Sequence, residues 1–442
     1  MNKKLGLAVA GALVAFASQA NAGISIPAGD WTVDIGGNVN AFYINNNSND
    51  SNTVAGGLAN AKGANGSSSS SINTGLLPSW LTVGAKSRQN DLDVTWAVSF
   101  QPGASSSHGL QGGGGSEFRQ AYFTFGDASW GTVKIGKDLG VFGSDAILND
   151  MTLLGVGSQG IVGAQGGTTT TLGRIGAGFM YADFLGQINY TTPNWNGFQA
   201  TVGIDQPWQT ANLSGVETAA GASYVTYNGT ASGTATASVV AGTAATYYSA
   251  SSTENQKVPA FSGKASYSFS ANDVTGKVWA EFKSQKVYGV GNAYTAGVLS
   301  SHGTSDTSTV YGVGANAAYQ GLTLVGYYYS GQGVGTTGFL SDGYDRNGKQ
   351  RDSDGGYVQA TYALPGVGTK LGVSWGISNL DGNAVDNNTN LVKENEMWTV
   401  GVYHPLTKSV NLVAEYSNVK ATNNKDQENQ SNIVSLGGIL FF

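Results

Sequence analysis

The sequence has no cysteine. That excludes disulfide scaffolds, thiolate metal sites and cysteine nucleophiles, and it removes any redox argument about compartment. Charge is scarce too: Asp, Glu, Lys and Arg make up 11% of the residues, less than half of the roughly 25% typical of soluble domains. Beyond the N-terminal segment no run of 18 apolar residues occurs, so no helix of the usual kind spans a membrane. Proline is rare, at 8 of 442 residues. With so few prolines and charges, and aromatics at 10%, the composition does not fit disorder.

Glycine is plentiful at 66 residues, tyrosine reaches 21, and the hydrophobic fraction is a moderate 40%. A chain neither very apolar nor charged, rich in Gly, Ser, Thr, Asn and Tyr, suggests strands with one polar, uncharged face. The N-terminus reads differently. "MNKK" is a basic stretch, "LGLAVAGALVAFA" is apolar, and "ANA" at Ala20–Ala22 offers a small-residue cleavage site. This pattern predicts a secretory signal peptide over residues 1–22, with a mature domain over 23–442. Removing Lys3 and Lys4 from 22 basic residues against 28 acidic ones leaves a mature charge of about −8. An acidic exported chain is a poor nucleic-acid binder.

Period two dominates the mature chain. Leu92, Val94, Trp96, Val98 and Phe100 share one face, and Asp93, Thr95, Ala97, Ser99 and Gln101 the other. Phe198–Ile204, Phe261–Phe269, Leu371–Ile377 and Val410–Tyr416 repeat the pattern. Strict alternation of this kind reads as half-exposed β-strand.

Turn signals fall around Asn90 and at 126–129, 193–197, 270–274, 320–321, 365–368 and 405–407. Long connections fall at 45–75, 102–116, 138–173, 207–257, 287–307, 333–352, 382–395 and 421–430. Seven short turns thus alternate with eight long loops, giving about sixteen strands. Eight long polar loops do not suit a globular domain. A meander with all its long connections at one end suits a barrel that crosses a membrane, where every backbone amide must be paired and the sheet must close. The fold class expected is therefore all-β: a 16-stranded antiparallel up-and-down transmembrane β-barrel. Its short turns face the periplasm and its long loops the exterior. Trp130, Tyr190, Trp195, Phe269, Tyr319, Tyr362 and Tyr403 lie beside the turns, as an interfacial girdle requires.

The opposite faces carry Asp34, Asn38, Asp93, Thr95, Gln187, Asn189, Lys264, Lys277, Glu281, Lys283, Asn316 and Glu415. Polar lumen residues in a barrel this wide imply an aqueous channel. Tyr327–Tyr329 and the strand at 117–126 break the parity, which a neighbouring barrel packed against that wall would explain. At the C-terminus, "SNIVSLGGILFF" alternates from Val434 to Phe442. It reads as a last strand that closes the barrel on the first, Trp31–Tyr43.

Signals for other chemistry are weak. "GVGSQG" (Gly155–Gly160) and "GVGTTG" (Gly333–Gly338) match a dinucleotide fingerprint in letters but lack the strand, helix and acid that such a site needs. "DSDG" at Asp352–Gly355 lacks the remaining spacing of a calcium loop. His108, His302 and His404 are far apart and suggest neither a catalytic nor a metal pair. No catalytic residue, metal site or cofactor is expected.

The stretch "FRQAYFTFGDASWGTVKIGKDLGVFGSDAILNDM" (Phe118–Met151) resembles the fourth strand, second turn, fifth strand and third loop of the general trimeric porins of Gram-negative outer membranes. "LGRIGAGFMYADFLGQINYTTPNWNGFQATVGID" (Leu172–Asp205) resembles the segment that comes after the third loop in that family, and "SLGGILFF" resembles its closing strand. The resemblance implies a homotrimer whose third loop, 138–173, folds into each lumen as a constriction. It places Arg119 and Arg174 on the wall facing that loop, with Asp150, joined by Asp145, as the acidic counterpart. It also implies that Phe442 is read by the barrel-assembly machinery. The ordinary alternative for Arg119 is a hydrogen-bonder that holds the loop.

The chain departs from the family pattern at Leu153–Gly160, which has no carboxylate. The second strand lacks a basic residue at mid-height, since Lys86 and Arg88 lie near the turn. Weak ion selectivity is therefore expected.

The function implied is an outer-membrane channel for passive diffusion of small hydrophilic solutes and ions, not an enzyme. Its partners would be outer-membrane lipid, lipopolysaccharide and further copies of itself. One alternative is a channel of the same fold selective for sugars or organic acids, which a ladder of aromatics or basics in the lumen would favour. Another is a barrel enzyme or adhesin acting through its loops, of which 207–257 is the most suggestive.

Overall fold

The computed structural model describes residues 23–442, apart from 64–65, 105–115, 160–169, 209–245, 249–256, 292, 296–297, 302 and 346. The signal peptide expected over 1–22, His108, His302 and most of the 207–257 loop lie outside the described residues.

The period-two segments form strands, in chain order β1 (Ile24–Ala28), β2 (Trp31–Ser48), β3 (Ser68–Asn73), β4 (Trp80–Gln89), β5 (Leu92–Pro102), β6 (Ser116–Asp127), β7 (Gly131–Leu139), β8 (Phe184–Thr191), β9 (Phe198–Asp205) and β10 (Thr246–Tyr248). They continue with β11 (Ala260–Ala271), β12 (Val274–Val290), β13 (Ala293–Thr295), β14 (Val298–Ser301), β15 (Thr304–Tyr319), β16 (Leu322–Gln332), β17 (Asp352–Ala363), β18 (Lys370–Asp381), β19 (Val392–Pro405), β20 (Val410–Asn423) and β21 (Glu428–Phe441). β10, β13 and β14 form a small separate sheet.

The remaining strands close an antiparallel barrel with sixteen wall positions, as the alternation of turns and loops predicts. β3 and β4 share one position, pairing with the loop-side and turn-side halves of β2. β21 pairs with β2 from Ser431↔Ser48 to Phe441↔Asn38. Phe442 continues that ladder: its N–H donates to the Gly37 carbonyl at 3.1 Å, and the Gly37 N–H donates back at 2.8 Å. β1 extends the same wall position below Phe442 by pairing with Trp31–Ile35.

The tight turns have the chemistry that hairpins demand. Asn90 and Asp91, Asn272 and Asp273, and Gln320 and Gly321 all take positive φ, the left-handed pair that matches strand twist. Outward residues such as Val98, Val202 and Val358 are exposed to the bilayer side.

The parity break at 327–329 has a different cause from the one expected. Tyr328 points outward, while Tyr327 and Tyr329 point into the lumen and are 5% and 0% exposed. No neighbouring barrel is needed, because these tyrosines are covered from inside by the loop between β7 and β8. The break in β6 is a bulge: the register to β5 shifts between Ser99 and Gln101. The extra residue brings Arg119 and Gln120 inward together, and both are buried.

The inserted loop spans 140–183 and carries a helix α1 (Ser144–Asn149) and a 3₁₀ turn (Met151–Leu154). It runs beyond the expected 138–173, on to Asp183. Its Ala146, Ile147, Met151, Val156, Phe179 and Met180 pack with the inward Trp279, Tyr327, Tyr357, Met397 and Ile439 in one buried core. Apolar burial of this kind supplies the main force holding a loop against a wall.

Candidate pore constriction

Four polar clamps fix the loop. At the first, Asp145 on α1 meets two lysines of neighbouring strands, Lys264 Nζ at 2.7 Å and Lys277 Nζ at 2.5 Å. Burial raises the Asp145 carboxyl, and the two ammonium groups outweigh it, leaving its pKa below the usual range. At the second, Asn149 accepts from Asn316 Nδ2 at 2.7 Å and its carbonyl from Gln359 Nε2 at 2.9 Å, while Gln359 Oε1 accepts the Met151 N–H at 2.7 Å. The Tyr357 hydroxyl donates to the Ala146 carbonyl at 2.8 Å. The third is Glu415 on β20. Its Oε2 accepts the N–H groups of Val156 at 2.7 Å and Gly157 at 2.9 Å, and its Oε1 accepts the Tyr403 hydroxyl at 2.6 Å.

The fourth clamp is Arg174, which the resemblance puts on the wall. The structure places it in the loop instead, ahead of β8. The run from Leu172 to Met180 holds three glycines at positive φ, Gly173, Gly176 and Gly178, and turns back on itself rather than extending. Arg174 is 0% exposed. Its guanidinium donates to the Met397 carbonyl at 2.9 Å and to Ser374 Oγ, and lies 6.0 Å from the Tyr357 ring centre.

Asp150 is buried as well. Its carboxylate accepts the N–H of Thr152 at 3.0 Å and its hydroxyl at 2.6 Å, capping the 3₁₀ turn. Burial raises its pKa, opposed by the Arg174 guanidinium. Burial lowers Arg174 in turn, with Asp150 opposing, yet a guanidinium keeps its charge in proteins.

Arg119 binds Glu117 Oε2 through Nε at 2.7 Å, faces the Phe184 ring at 5.5 Å, and receives its backbone order from Gln101 Oε1, which accepts the Arg119 N–H at 2.9 Å. The four residues named from sequence therefore do not form one opposed pair across water. Asp150 and Arg174 lie within the loop, Asp145 lies at the first clamp, and Arg119 stands at the loop-side end of β6.

The inward faces of β16–β21 are buried, from Val325 and Tyr357 to Glu415 and Ile439, under this loop and, nearer the loop-side end, under the segment around Leu58, whose N–H donates to Asn395 Oδ1 at 2.9 Å. The inward faces of β4–β9, β11 and β12 stay partly open, with Thr82, Thr95, Lys134, Thr191, Gln199, Thr201, Lys264, Ser266 and Lys277 half-buried. Lys134 pairs with Asp138, which also accepts from Gln120 at 2.9 Å. Sequence parity places Lys264 and Lys277 in the lumen but does not mark them as constriction residues, and it passes over Lys134. Their signal is a lone lysine on the polar face of adjacent strands. His404 bonds Thr369 beside a turn at 2.9 Å, remote from this region.

A family model for Gram-negative porins matches residues 8–255, more than half of the chain. The chain belongs to the Gram-negative porin family. The porin is a channel of the bacterial outer membrane for passive diffusion of solutes.

Solved structures share its fold. One is the outer membrane channel DcaP of Acinetobacter baumannii, 14% identical, with 94% of this chain and 99% of that one covered and a TM-score of 0.60. Another is an anion-selective porin from Comamonas acidovorans, 15% identical, covering 93% and 100%, with a TM-score of 0.54. A third is the trimer form of OmpT of Vibrio cholerae, 13% identical, covering 93% and 99%, with a TM-score of 0.52. At such identities the likeness shows the porin's fold. No curated protein matches the porin in sequence.

Proposed function

We propose that the porin is a general diffusion channel for small hydrophilic solutes and ions, with weak ion selectivity. One observation carries this reading: on the open side of the lumen three lysines, Lys134, Lys264 and Lys277, stand against three carboxylates, Asp138, Asp145 and Glu281, the last directly opposite Lys264 in the register of β11 with β12. Balanced opposite charges in a narrow aqueous passage set up a local field without building a tight site for either sign. The constriction is formed by the inserted loop opposite these lysines, with Asp145 as its charged contact to the pore. Arg119 lies at the loop-side entrance, and Arg174 and Asp150 keep the loop in shape.

The sugar-selective alternative needs aromatics that solutes can touch. Trp279, Tyr327, Tyr329 and Tyr357 do line the inner wall, but they are at most 5% exposed and so disfavour it. The assembled form is a homotrimer, as in the OmpT structure. Export removes 1–22, and Phe442 engages the barrel-assembly machinery.

Purified porin in a planar bilayer tests the reading. Conductance in steps of three and a small reversal potential in a salt gradient are expected. Absence of conductance, or strong selectivity for ions of either sign, overturns it.

A further inference from the structure

Between β16 and β17 the segment 333–351 leaves the wall and folds on itself. The Gly333 N–H donates to the Arg351 carbonyl at 2.9 Å, and the Leu340 N–H to the Val334 carbonyl at 2.8 Å. The backbone crosses itself so closely that a Cβ at Gly335 would strike the Ser341 carbonyl oxygen. Arg351 holds the crossing together. Its Nε and Nη2 fork onto the two carboxylate oxygens of Asp386 at 2.8 and 2.7 Å. Its Nη1 donates to the carbonyls of Asp342 at 2.8 Å and Tyr344 at 2.7 Å. Both Arg351 and Asp386 are buried, and a two-pronged pair of this kind fixes direction as well as distance. Asp386 ends a 3₁₀ turn (Ala384–Asp386) between β18 and β19, so the fork also joins two loops.

The tip of this segment reaches over the lumen. The Thr337 carbonyl accepts the Tyr181 N–H at 2.8 Å, and the Tyr181 hydroxyl lies 3.5 Å from Nη1 of Arg119 on β6. From β6 to β17 one route round the wall passes seven positions, β7, β8, β9, β11, β12, β15 and β16. The other route also passes seven, β18, β19, β20, β21, β2, β4 and β5. The contacts from β17 through Thr337 and Tyr181 to Arg119 thus bridge the mouth between opposite walls. One flank of the bridge is filled by Phe339, whose ring lies 5.1 Å from Lys283 Nζ and meets Trp208 edge-on at 6.5 Å. The other is filled by the segment after β2. Asn429 Oδ1 accepts the Asn52 N–H at 3.0 Å, and Asn423 Nδ2 donates to the Thr53 carbonyl at 2.9 Å. Leu58 of that segment and Leu340 of the bridge join Ile175 and Phe179 of the inserted loop in one buried core.

We propose that this bridge is a second, outer size filter stacked on the constriction, and that Arg351 is its positioning residue. The half-buried groups along its span, Thr337, Gly338 and Tyr181, are neutral, so it acts on solute size more than on charge. The charged passage of Lys134, Lys264 and Lys277 lies deeper. The filter presupposes the diffusion-channel reading.

The test is liposome swelling by the full-length porin with neutral sugars from a monosaccharide to a tetrasaccharide. Arg351→Met keeps the bulk of the side chain and removes every bond the guanidinium donates. It raises the tetrasaccharide rate relative to the monosaccharide rate severalfold, while the reversal potential in a salt gradient stays that of wild type. Arg351→Lys, which keeps the charge but cannot fork onto a carboxylate, falls between the two. Replacing Thr336–Leu340 by a glycine linker removes the span itself and gives the same severalfold rise, whether or not the Arg351 variants fold. Wild-type size ratios in the linker variant overturn the filter, and wild-type ratios in Arg351→Met overturn the role given to Arg351. A rise accompanied by a shifted reversal potential means that the inserted loop beneath has moved, and overturns a separate filter. Failure of wild type to conduct or to admit the monosaccharide overturns the channel reading itself, whereas conductance with unaltered size ratios overturns the filter alone.

Discussion

Glu415 Oε2 accepts the N–H of Val156 at 2.7 Å across the lumen, between residues far apart in the chain. The same oxygen takes the Gly157 N–H, and Gly155 leaves room for it: a Cβ at Gly155 would lie 2.0 Å from Glu415 Oε1. Replacing Glu415 by Ala orphans two buried N–H groups and the Tyr403 hydroxyl, each at a cost of about 1–3 kcal/mol. Glu415→Ala and Gly155→Ala should both loosen the loop. Single-channel recordings are expected to show larger, noisier openings, and limited proteolysis should cut within 140–183. A quiet pore of unchanged size in both variants would mean that the apolar core alone holds the loop.

Asp145 neutralises part of the charge of Lys264 and Lys277. Asp145→Asn should leave the fold intact, since the amide still accepts from one lysine, and should raise anion selectivity by adding one net positive charge to the passage. The reversal potential in a tenfold salt gradient reads this directly. The pH dependence comes from the lowered pKa. A depressed carboxyl keeps its contribution above the ordinary carboxylate range and loses it as pH falls through the lower folded value. The difference in selectivity between wild type and Asp145→Asn should therefore stay constant from pH 7 to about 4, the unperturbed range, and shrink below. A change already at pH 5 would point to another group.

Arg174 and Arg119 should separate. Arg174 is enclosed among Met397, Ser374 and Tyr357, so Arg174→Met should destabilise the loop by several kcal/mol, as breaking a buried charge network does. Selectivity should barely move, and the expected signs are a lower thermal transition and proteolysis of the loop. Arg119→Ala, at the entrance, should raise conductance or shift selectivity with little loss of stability. The reverse pairing of phenotypes would return Arg174 to the pore wall.

The wall was legible because side-chain direction in a strand has period two, so Leu92–Phe100 and Leu371–Ile377 declare their faces in the letters alone. The inserted loop was not legible beyond its length. Its clamps join residues remote in sequence, such as Val156 with Glu415 and Ala146 with Tyr357, and no local pattern records such pairs. The misplacement of Arg174 has a local cause. The resemblance carries Arg174 over as a wall residue, but Gly173, Gly176 and Gly178 fold Leu172–Met180 into turns. Parity alone misreads the face of Arg119, because the bulge opposite Ser99–Gln101 adds one residue and reverses every later assignment of face. Tyr327 and Tyr329 looked like an error in the alternation, and they mark where the lumen is dry.

Phe442 and Gly37 exchange both backbone hydrogen bonds, at 3.1 and 2.8 Å, and so complete the ladder between β21 and β2. The neighbouring Phe441 turns inward and meets Trp80 edge-on at 6.5 Å, which anchors the end independently of Phe442. Deleting Phe442 therefore removes two hydrogen bonds from an otherwise paired seam, each worth about 1 kcal/mol net. A barrel refolded in detergent should lose only that much, seen as a small drop in its thermal transition. Assembly in cells should fall far more if the terminal Phe is also a recognition signal, and quantifying folded porin in outer-membrane fractions measures it. Equal losses in the two settings would leave Phe442 with a packing role alone.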